Sequence, residues 1–311
     1  MMMNRLRIFM GVAWVVLASA NLSYGYVIDG PEILQLVAQR IGWANTLLVK
    51  QHLTTYILEQ QMRRELAEET VHYVFPNAFR IDLTSDDTRS FFLASNGRNL
   101  AVVNDQIDPS AESELDLYHF LLLHHHSSGL INFLEAFGID TSVRSLGKFQ
   151  RKVAYVIGAQ YPDEDQSQLW IDKDTLLPMR WLLVALTQSK PADSKAADKA
   201  PDLDQSGETP DSDQTAPVPG LERLEFRLSL WQKFDRLYYP MRLDIFQNGV
   251  LTREIRVADV HVNPQFEKAI MDIDQQKARY PKAQKNWVNP EEKENVDDIQ
   301  KTIDDFKKKF E

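Results

Sequence analysis

Most of the chain follows a two-residue hydrophobic period, and this pattern limits the possible folds more than any other feature. In the stretch LERLEFRLSLW, Leu224, Phe226 and Leu228 alternate with charged or small polar side chains. Such alternation is typical of a β-strand with one buried face and one exposed face. Asn-Gly pairs at residues 96–97 and 248–249 indicate two-residue turns between antiparallel strands. The sequence therefore predicts a large antiparallel sheet.

The predicted strands form two groups with a helical segment between them. Five strands follow one another between residues 46 and 105, and six more lie between residues 141 and 264. Helical spacing of apolar residues over 31–45 predicts an N-terminal helix, and residues 109–137 predict the central helical segment. An antiparallel sheet of about eleven strands curls, so we expect the helices to cover its concave side.

The first 25 residues predict a secretory signal peptide. Arg5 and Arg7 precede an apolar run over residues 8–18, and small and polar residues follow. We expect cleavage after Gly25, with cleavage after Ala20 as the second choice. A retained membrane anchor is the alternative, although the apolar run is short for a span of about 20 residues.

Composition narrows the compartment and the partners. The 311 residues include no cysteine, so a secreted chain of this kind must be stabilised by burial alone, which fits a bacterial periplasm. The formal net charge is -10, with no evident basic cluster to offset it. This balance argues against nucleic acid as a partner and against simple attraction to anionic lipid head groups.

Two segments depart from the strand pattern. Residues 189–219 are rich in Pro, Asp, Ser, Ala and Lys and predict a disordered acidic insertion between two strands. Residues 271–311 predict a charged helical extension that either lies on the protein's own surface or docks a partner. Its apolar stripe recurs at helical spacing and consists of Val296, Ile299, Ile303, Phe306 and Phe310.

Three consecutive histidines, His124 to His126, raise the question of a metal site. Neighbours on a helix point about 100° apart, so a metal needs ligands at i, i+3 or i, i+4 spacing, which this segment lacks. We therefore predict no metal and expect the histidines in the last turn of a helix, where imidazoles reach unpaired carbonyls. A pH-responsive contact with the sheet is the alternative. The chain has no familiar catalytic motif, so we predict no enzyme and no cofactor.

Several stretches resemble the LolA/LolB-like family of periplasmic lipoprotein carriers. They are FPNAFRID (75–82), FFLASNGRNLAVV (91–103), QLWIDKDTLLPMRW (168–181), RLYYPMRLDIF (236–246) and ADVHVNPQF (258–266). The resemblance covers roughly residues 30 to 270, and RseB-like envelope regulators share the fold. It implies a mainly β fold with helices (α+β), an unclosed antiparallel half barrel of about eleven strands with a central helical plug. The predicted units are a signal peptide (1–25), the half-barrel domain (26–270) and the C-terminal extension (271–311).

A half barrel of this family implies an apolar trough that binds acyl chains. Its lining would come from alternating strand positions, although the alternation leaves open which parity faces inward. The predicted strand lining is Leu53, Phe79, Ile81, Phe92, Val102, Tyr155, Ile157, Trp170, Met179, Trp181, Phe226, Leu228, Met241 and Leu243, and the plug would add Phe120, Leu123, Phe133 and Leu134.

The resulting functional prediction is a periplasmic, non-catalytic protein that holds the acyl chains of a lipid or lipoprotein and serves transport to the outer membrane. The alternative is an RseB-like regulatory or scaffolding protein of the envelope. Such a protein would sense a ligand in the barrel and dock a protein partner through Val296, Ile299, Ile303 and Phe306.

Overall fold

A computed structural model of the chain describes residues 28–57, 63–108, 110, 114–186 and 221–281. The predicted signal peptide, the acidic insertion and the apolar stripe of the C-terminal extension lie outside the described residues.

The described strands form one antiparallel sheet whose two edges do not meet. Its order is β6-β5-β4-β3-β2-β1-β13-β12-β11-β10-β9-β8-β7, so β1 and β13 pair in the middle and bring the two ends of the domain together. The strands are β1 (Thr46–Ile57), β2 (Arg63–Val74), β3 (Ala78–Thr84), β4 (Arg89–Ser95), β5 (Arg98–Val103), β6 (Gln106–Ile107), β7 (Arg144–Phe149), β8 (Lys152–Ile157), β9 (Gln168–Asp172), β10 (Pro178–Leu186), β11 (Leu221–Phe234), β12 (Leu237–Gln247) and β13 (Val250–Val262).

Four α-helices accompany the sheet in the described part of the chain. They are α1 (Gly30–Ile41), α2 (Tyr118–Leu123), α3 (Ser127–Ala136) and α4 (Ile273–Arg279), with short 3-10 turns at Glu114–Asp116 and Lys268–Met271. Asp29 caps α1, because its carboxylate accepts a hydrogen bond from the Glu32 amide at 2.8 Å. Gly42 ends α1 with a φ of 83°, which a side chain rarely adopts.

The predicted fold class is confirmed, and the strand count rises from about eleven to thirteen. One extra strand arises because the predicted strand after residue 141 is a hairpin, β7–β8, that turns at Gln150 and Arg151. Both turn residues have positive φ, 47° and 69°, without the Asn or Gly that usually signals such a turn. The other is the two-residue strand β6, which is too short to show a hydrophobic period.

The helices α1, α2 and α3 cover one face of the sheet, and together with it they form the main apolar cluster. We call this the inner face, and α2 with α3 the plug. Trp181 and Phe226 stack there with ring centroids 5.1 Å apart, and Phe133 of the plug lies 5.5 Å from Trp181. The inner face is therefore the core of the domain.

Two smaller apolar clusters lie on the opposite, outer face. One joins Phe91, Leu93, Leu100 and Val102 of β4 and β5 to Ile273 of α4, so the start of the predicted C-terminal extension packs on the sheet. The other consists of Ala154, Val156, Ala159, Trp170 and Met179.

Replacing Gly42 with alanine should destabilise the fold strongly. Besides the left-handed φ, an added Cβ would overlap the carbonyl oxygen of Arg236, which a bridge to Leu237 holds in place. We expect a loss of at least ~2 kcal/mol in the free energy of unfolding, measured with urea. Gly97→Ala is the control, because Gly97 has a similar φ of 73° but nothing within 4 Å of the added Cβ, and it should cost about 1 kcal/mol. Equal losses in the two variants would contradict this account.

Candidate ligand-binding site

Most of the predicted trough residues lie on the inner face. They are buried in the main apolar cluster or packed against it, and they are Leu53, Phe79, Ile81, Phe92, Phe120, Leu123, Phe133, Leu134, Tyr155, Ile157, Trp181, Phe226, Leu228 and Leu243. Odd-numbered positions of β1, β2 and β3 face inward, as do even-numbered positions of β4 and β11. The structure thus shows which side chains of each strand face the core, a question that the alternation alone leaves open.

Four of the predicted lining residues do not lie there. In β5 and β9 the odd-numbered positions face inward. The even-numbered Val102 and Trp170 therefore face outward and belong to the outer-face clusters. Met179 also joins the outer cluster, because the pairing of β10 with β9 slips between Pro178 and Arg180 and changes its side. Met241 is half-buried and belongs to none of the three apolar clusters.

The plug fills the trough instead of leaving it open. Phe79, Leu134, Trp181 and Phe226 have no exposed surface. The Phe120 ring stands edge-on to Phe79 at 4.9 Å, so the plug supplies the contacts that a ligand would otherwise make. A ligand can reach this face only by displacing the plug or by entering at its margin.

Polar contacts tie the N-terminal end of the plug to the sheet. Just before α2, Asp116 accepts a hydrogen bond from the Arg253 guanidinium of β13 at 2.6 Å, and both side chains are largely buried. In α2, the Tyr118 hydroxyl accepts from the Gln51 amide at 3.1 Å, and the same amide donates to Glu69 at 2.7 Å. These groups form a polar cluster within an otherwise apolar interface.

A second set of contacts extends this polar cluster across the inner face. The His119 ring nitrogen Nδ1 lies 2.6 Å from the Tyr73 hydroxyl, which lies 3.1 Å from the Tyr239 hydroxyl. Burial lowers the pKa of His119 well below its usual value, and nearby Arg253 lowers it further. His119 is therefore neutral at pH 7 and can share one hydrogen bond with Tyr73.

Glu69 is the most perturbed carboxyl group of the cluster. Burial raises its pKa to about 7, and neighbouring Asp116 adds to the rise, while Arg253 and the hydrogen bond from Gln51 oppose it. Burial also raises the pKa of Asp116, against the attraction of Arg253. The cluster thus contains a carboxyl group whose proton is lost near neutral pH.

The three histidines connect the two helices of the plug, so the expectation that they occupy the last turn of a helix is wrong. The helix α2 ends at Leu123, His124 is its extended C-cap, and His126 is the extended N-cap of α3. The His125 ring nitrogen Nδ1 contacts the carbonyl oxygen of Gly42, at the end of α1 and not of its own helix. Burial lowers the pKa of His125 to about 4, so it meets this carbonyl as a neutral imidazole.

A cavity of about 560 Å³ opens beside the loop formed by His124, His125 and His126, which we call the histidine loop. We call the cavity the mouth cavity. Its walls are the end of α1, the following turn to β1, the β2–β3 turn and the histidine loop. The lining residues are Ala38, Gln39, Gly42, Trp43, Ala44, Asn45, Phe75, Pro76, His125 and His126. Its volume lies within the range of about 300–1,000 Å³ that is usual for small-molecule sites.

The mouth cavity borders the apolar core. Ala44 and Phe75 belong to the main apolar cluster or pack against it, and the Phe75 ring stands edge-on to His125 at 4.1 Å. The Trp43 indole is 52% exposed and forms the outer wall. An apolar chain in the cavity would therefore touch the margin of the covered inner face.

The part of the chain that the structure describes contains no group of three or more His, Asp or Glu side chains that could hold a metal ion. In the same residues, no helix is both long and apolar enough to cross a membrane.

The comparisons with known proteins find similarity in the fold only. No family model matches the chain, and no curated protein does. An outer membrane lipoprotein-sorting protein domain from Vibrio parahaemolyticus is 9% identical, with a TM-score of 0.48 over 80% of this chain and 98% of that chain. A LolA superfamily protein from Nitrosomonas europaea is 10% identical, with a TM-score of 0.48 over 80% and 99%. MucA/MucB of Pseudomonas aeruginosa gives 11% identity and a TM-score of 0.21 over 82% and 99%. All of these identities are low and all three TM-scores are below 0.5, so function has to be argued from this chain's own residues.

The sequence gives little warning of the mouth cavity or the polar cluster. Trp43 lies near the end of the predicted helix over 31–45 and Phe75 at the end of a predicted strand, and nothing in either pattern predicts a cavity. Gln51 and Glu69 interrupt inward-facing apolar runs at paired positions of β1 and β2. A polar residue at an inward position is the one signal that could have identified the cluster before the fold was known.

Replacing Glu69 with glutamine should change how stability depends on pH. The folded-state pKa of about 7 exceeds the ordinary 4.5, so the proton-bound form favours folding. This contribution is complete below about pH 4.5 and is lost as the pH rises through about 7. We expect Glu69→Gln to match the wild type near pH 5 and to be more stable by up to ~3 kcal/mol near pH 8. Urea unfolding across this range tests it, with exposed Glu68→Gln as the control. A constant difference between Glu69→Gln and the wild type would refute the prediction.

Proposed function

We propose that this chain is a non-catalytic periplasmic binding protein that holds an acyl chain of a lipid or lipoprotein between its sheet and its plug. The observation that carries the proposal is that the mouth cavity borders the apolar inner face at the histidine loop, where Ala44 and Phe75 belong to both. Acyl binding needs apolar contact and little polar chemistry, since each buried methylene contributes about 0.8 kcal/mol.

The way in which the plug is held supports this proposal. Both of its helices are short, with six and ten residues, and the polar ties described above lie at the start of α2 and at the histidine loop between the helices. At the N-terminal end these are the contacts of Asp116, Tyr118 and His119, and at the histidine loop it is the contact of His125 with Gly42. Between them the plug meets the sheet through apolar contacts, which an acyl chain can replace in kind.

A ligand would first displace the histidine loop. His125 stands between the mouth cavity and the core, and its single hydrogen bond to the Gly42 carbonyl is a neutral one. A neutral hydrogen bond contributes about 0.5–1.5 kcal/mol net, which the burial of two or three methylenes offsets. The chain would then extend along the face that Phe79, Trp181 and Phe226 line.

Truncating Trp43 should weaken acyl binding. The protein purified from its own periplasm should carry lipid that native mass spectrometry detects, and the emptied protein should take up a fluorescent fatty acid. We expect Trp43→Ser to weaken this uptake about tenfold, because the indole is the exposed apolar wall of the cavity.

Val250→Ser is the matched control, since Val250 is 41% exposed at the opposite end of the sheet and should leave uptake unchanged. A protein that is consistently empty and takes up no fatty acid would exclude the carrier function.

A second candidate is a regulatory protein that docks a partner through its C-terminal extension. The observation that favours it is the anchoring of the extension's first part on the sheet, where Ile273 packs on β4 and β5 and the Pro281 carbonyl accepts a hydrogen bond from the Ile107 amide at 2.8 Å. The extension therefore leaves from the edge strand β6, and the residues beyond it include the predicted apolar stripe.

A single charge in the stripe should separate the two candidates. If a partner docks there, Ile303→Asp should abolish a cross-link to that partner in whole cells, because a charge in an apolar interface is costly. Lys301→Asp, outside the stripe, should leave the cross-link intact, and both variants should still take up fatty acid. Retention of the cross-link by Ile303→Asp would rule out docking through the stripe.

A further inference from the structure

The strand register gathers several hairpin turns at one rim of the half barrel. The turns β7–β8, β9–β10 and β11–β12 all lie at this rim, because the amide of Lys173 donates to Val153 and the Trp231 indole donates to the Pro178 carbonyl. The bridge between Gly42 and Leu237 brings the end of α1, and hence the mouth cavity, to the same rim. We call it the hairpin rim.

Basic side chains outnumber acidic ones at these three turns. The basic residues are Lys148, Arg151, Lys152, Lys173, Lys233 and Arg236, and the acidic ones are Asp172, Asp174 and Asp235. Lys152 and Asp172 pair with each other at 2.6 Å, which leaves five basic and two acidic side chains outside that pair.

The opposite rim has the reverse charge. Its turns, after β3, β5 and β8, carry Asp86, Asp87, Asp105, Asp163, Glu164 and Asp165. The molecule is therefore polarised from one rim to the other.

Exposed apolar side chains are also concentrated at the hairpin rim. Leu146 is 54% exposed, Val153 is 49% exposed and Leu230 is 67% exposed, and all three lie on strands that enter these turns. Leu230 projects because it has a φ of 55° between two paired positions of β11. Together with Trp43, they are four of the seven large apolar side chains that the described residues expose.

We propose that the hairpin rim docks on an anionic lipid bilayer. Cations beside exposed aliphatic side chains suit the interface of a bilayer with negative head groups. The aliphatic residues belong to two hairpins, β7–β8 and β11–β12, with β9 and β10 between them in the sheet, and this spread fits a deformable lipid surface better than a folded protein. The net charge of -10 does not prevent docking, because at physiological ionic strength charges act over about 8 Å and the acidic turns lie at the far rim.

This inference rests on the proposed function in one respect, the passage of an acyl chain between the bilayer and the mouth cavity. The mouth cavity opens at the rim that would face the lipid, so an acyl chain could pass between bilayer and cavity without crossing water. Docking itself involves residues outside the cavity and the polar cluster. The two proposals can therefore fail separately.

Co-sedimentation of the full secreted chain with vesicles tests the docking. The vesicles contain either phosphatidylcholine alone or phosphatidylcholine with phosphatidylglycerol, and we expect binding only to the second, weakened by added salt. Arg151→Glu should weaken it at least ~tenfold, and Leu146→Ser about threefold or more. Arg89→Glu and Leu66→Ser are the matched controls at the opposite rim, and both should bind like the wild type.

The outcomes are distinct. Binding that requires phosphatidylglycerol and falls only in the hairpin-rim variants supports docking, whether or not the protein takes up fatty acid. Absence of such binding, or equal losses in both pairs of variants, overturns it, even if fatty-acid uptake is normal. Capture of an acidic protein at the same rim without any vesicle binding would overturn it too, in favour of a protein partner. Circular dichroism melting curves confirm that each variant is folded.

Discussion

The packing of the plug against the inner face is the contact on which the rest of this structure depends. A curled sheet with Phe79, Trp181 and Phe226 on its concave side would otherwise expose a large apolar surface to water. The chain covers that surface with its own short helices, and the domain thereby gains its core without disulfides. The same solution means that the plug would compete with the proposed acyl ligand, because both would cover the same surface.

The polar contacts within this interface determine where the plug lies more than how tightly it is held. The pair of Arg253 and Asp116 has lost most of its hydration, and such a pair roughly balances its attraction against that loss. Glu69 adds a further cost near neutral pH, because burial raises its pKa to about 7 and so disfavours its ionised form in this interface. Apolar burial therefore supplies the stability of the closed form, whereas the polar cluster fixes its register. A plug held in this way can be displaced by a ligand that replaces apolar contacts alone.

Local patterns in the sequence predict the strands well and the site poorly, for physical reasons. The first five strands and the Asn-Gly turns follow from period and turn chemistry, which act between near neighbours. Met179 was assigned to the wrong face because one slip in pairing reverses the parity that the alternation predicts. The polar cluster joins Gln51, Glu69, Asp116 and Arg253, which four separate segments contribute. Gln51 and Glu69 stand out in the sequence as polar interruptions of apolar runs, but only the fold brings Asp116 and Arg253 beside them.

The net charge of the sequence is likewise a poor guide to the charge of a particular surface. A net charge of -10 describes the chain as a whole and predicts repulsion from anionic surfaces. The fold, however, separates the charges, because the turns β7–β8, β9–β10 and β11–β12 emerge at one rim and the acidic turns after β3, β5 and β8 emerge at the other. Since screening limits each charge to about 8 Å, a surface that approaches the hairpin rim meets the local excess of Lys and Arg and little of the distant acid. The direction from which a partner approaches therefore decides the sign of the interaction, and the cavity and the basic turns share that direction.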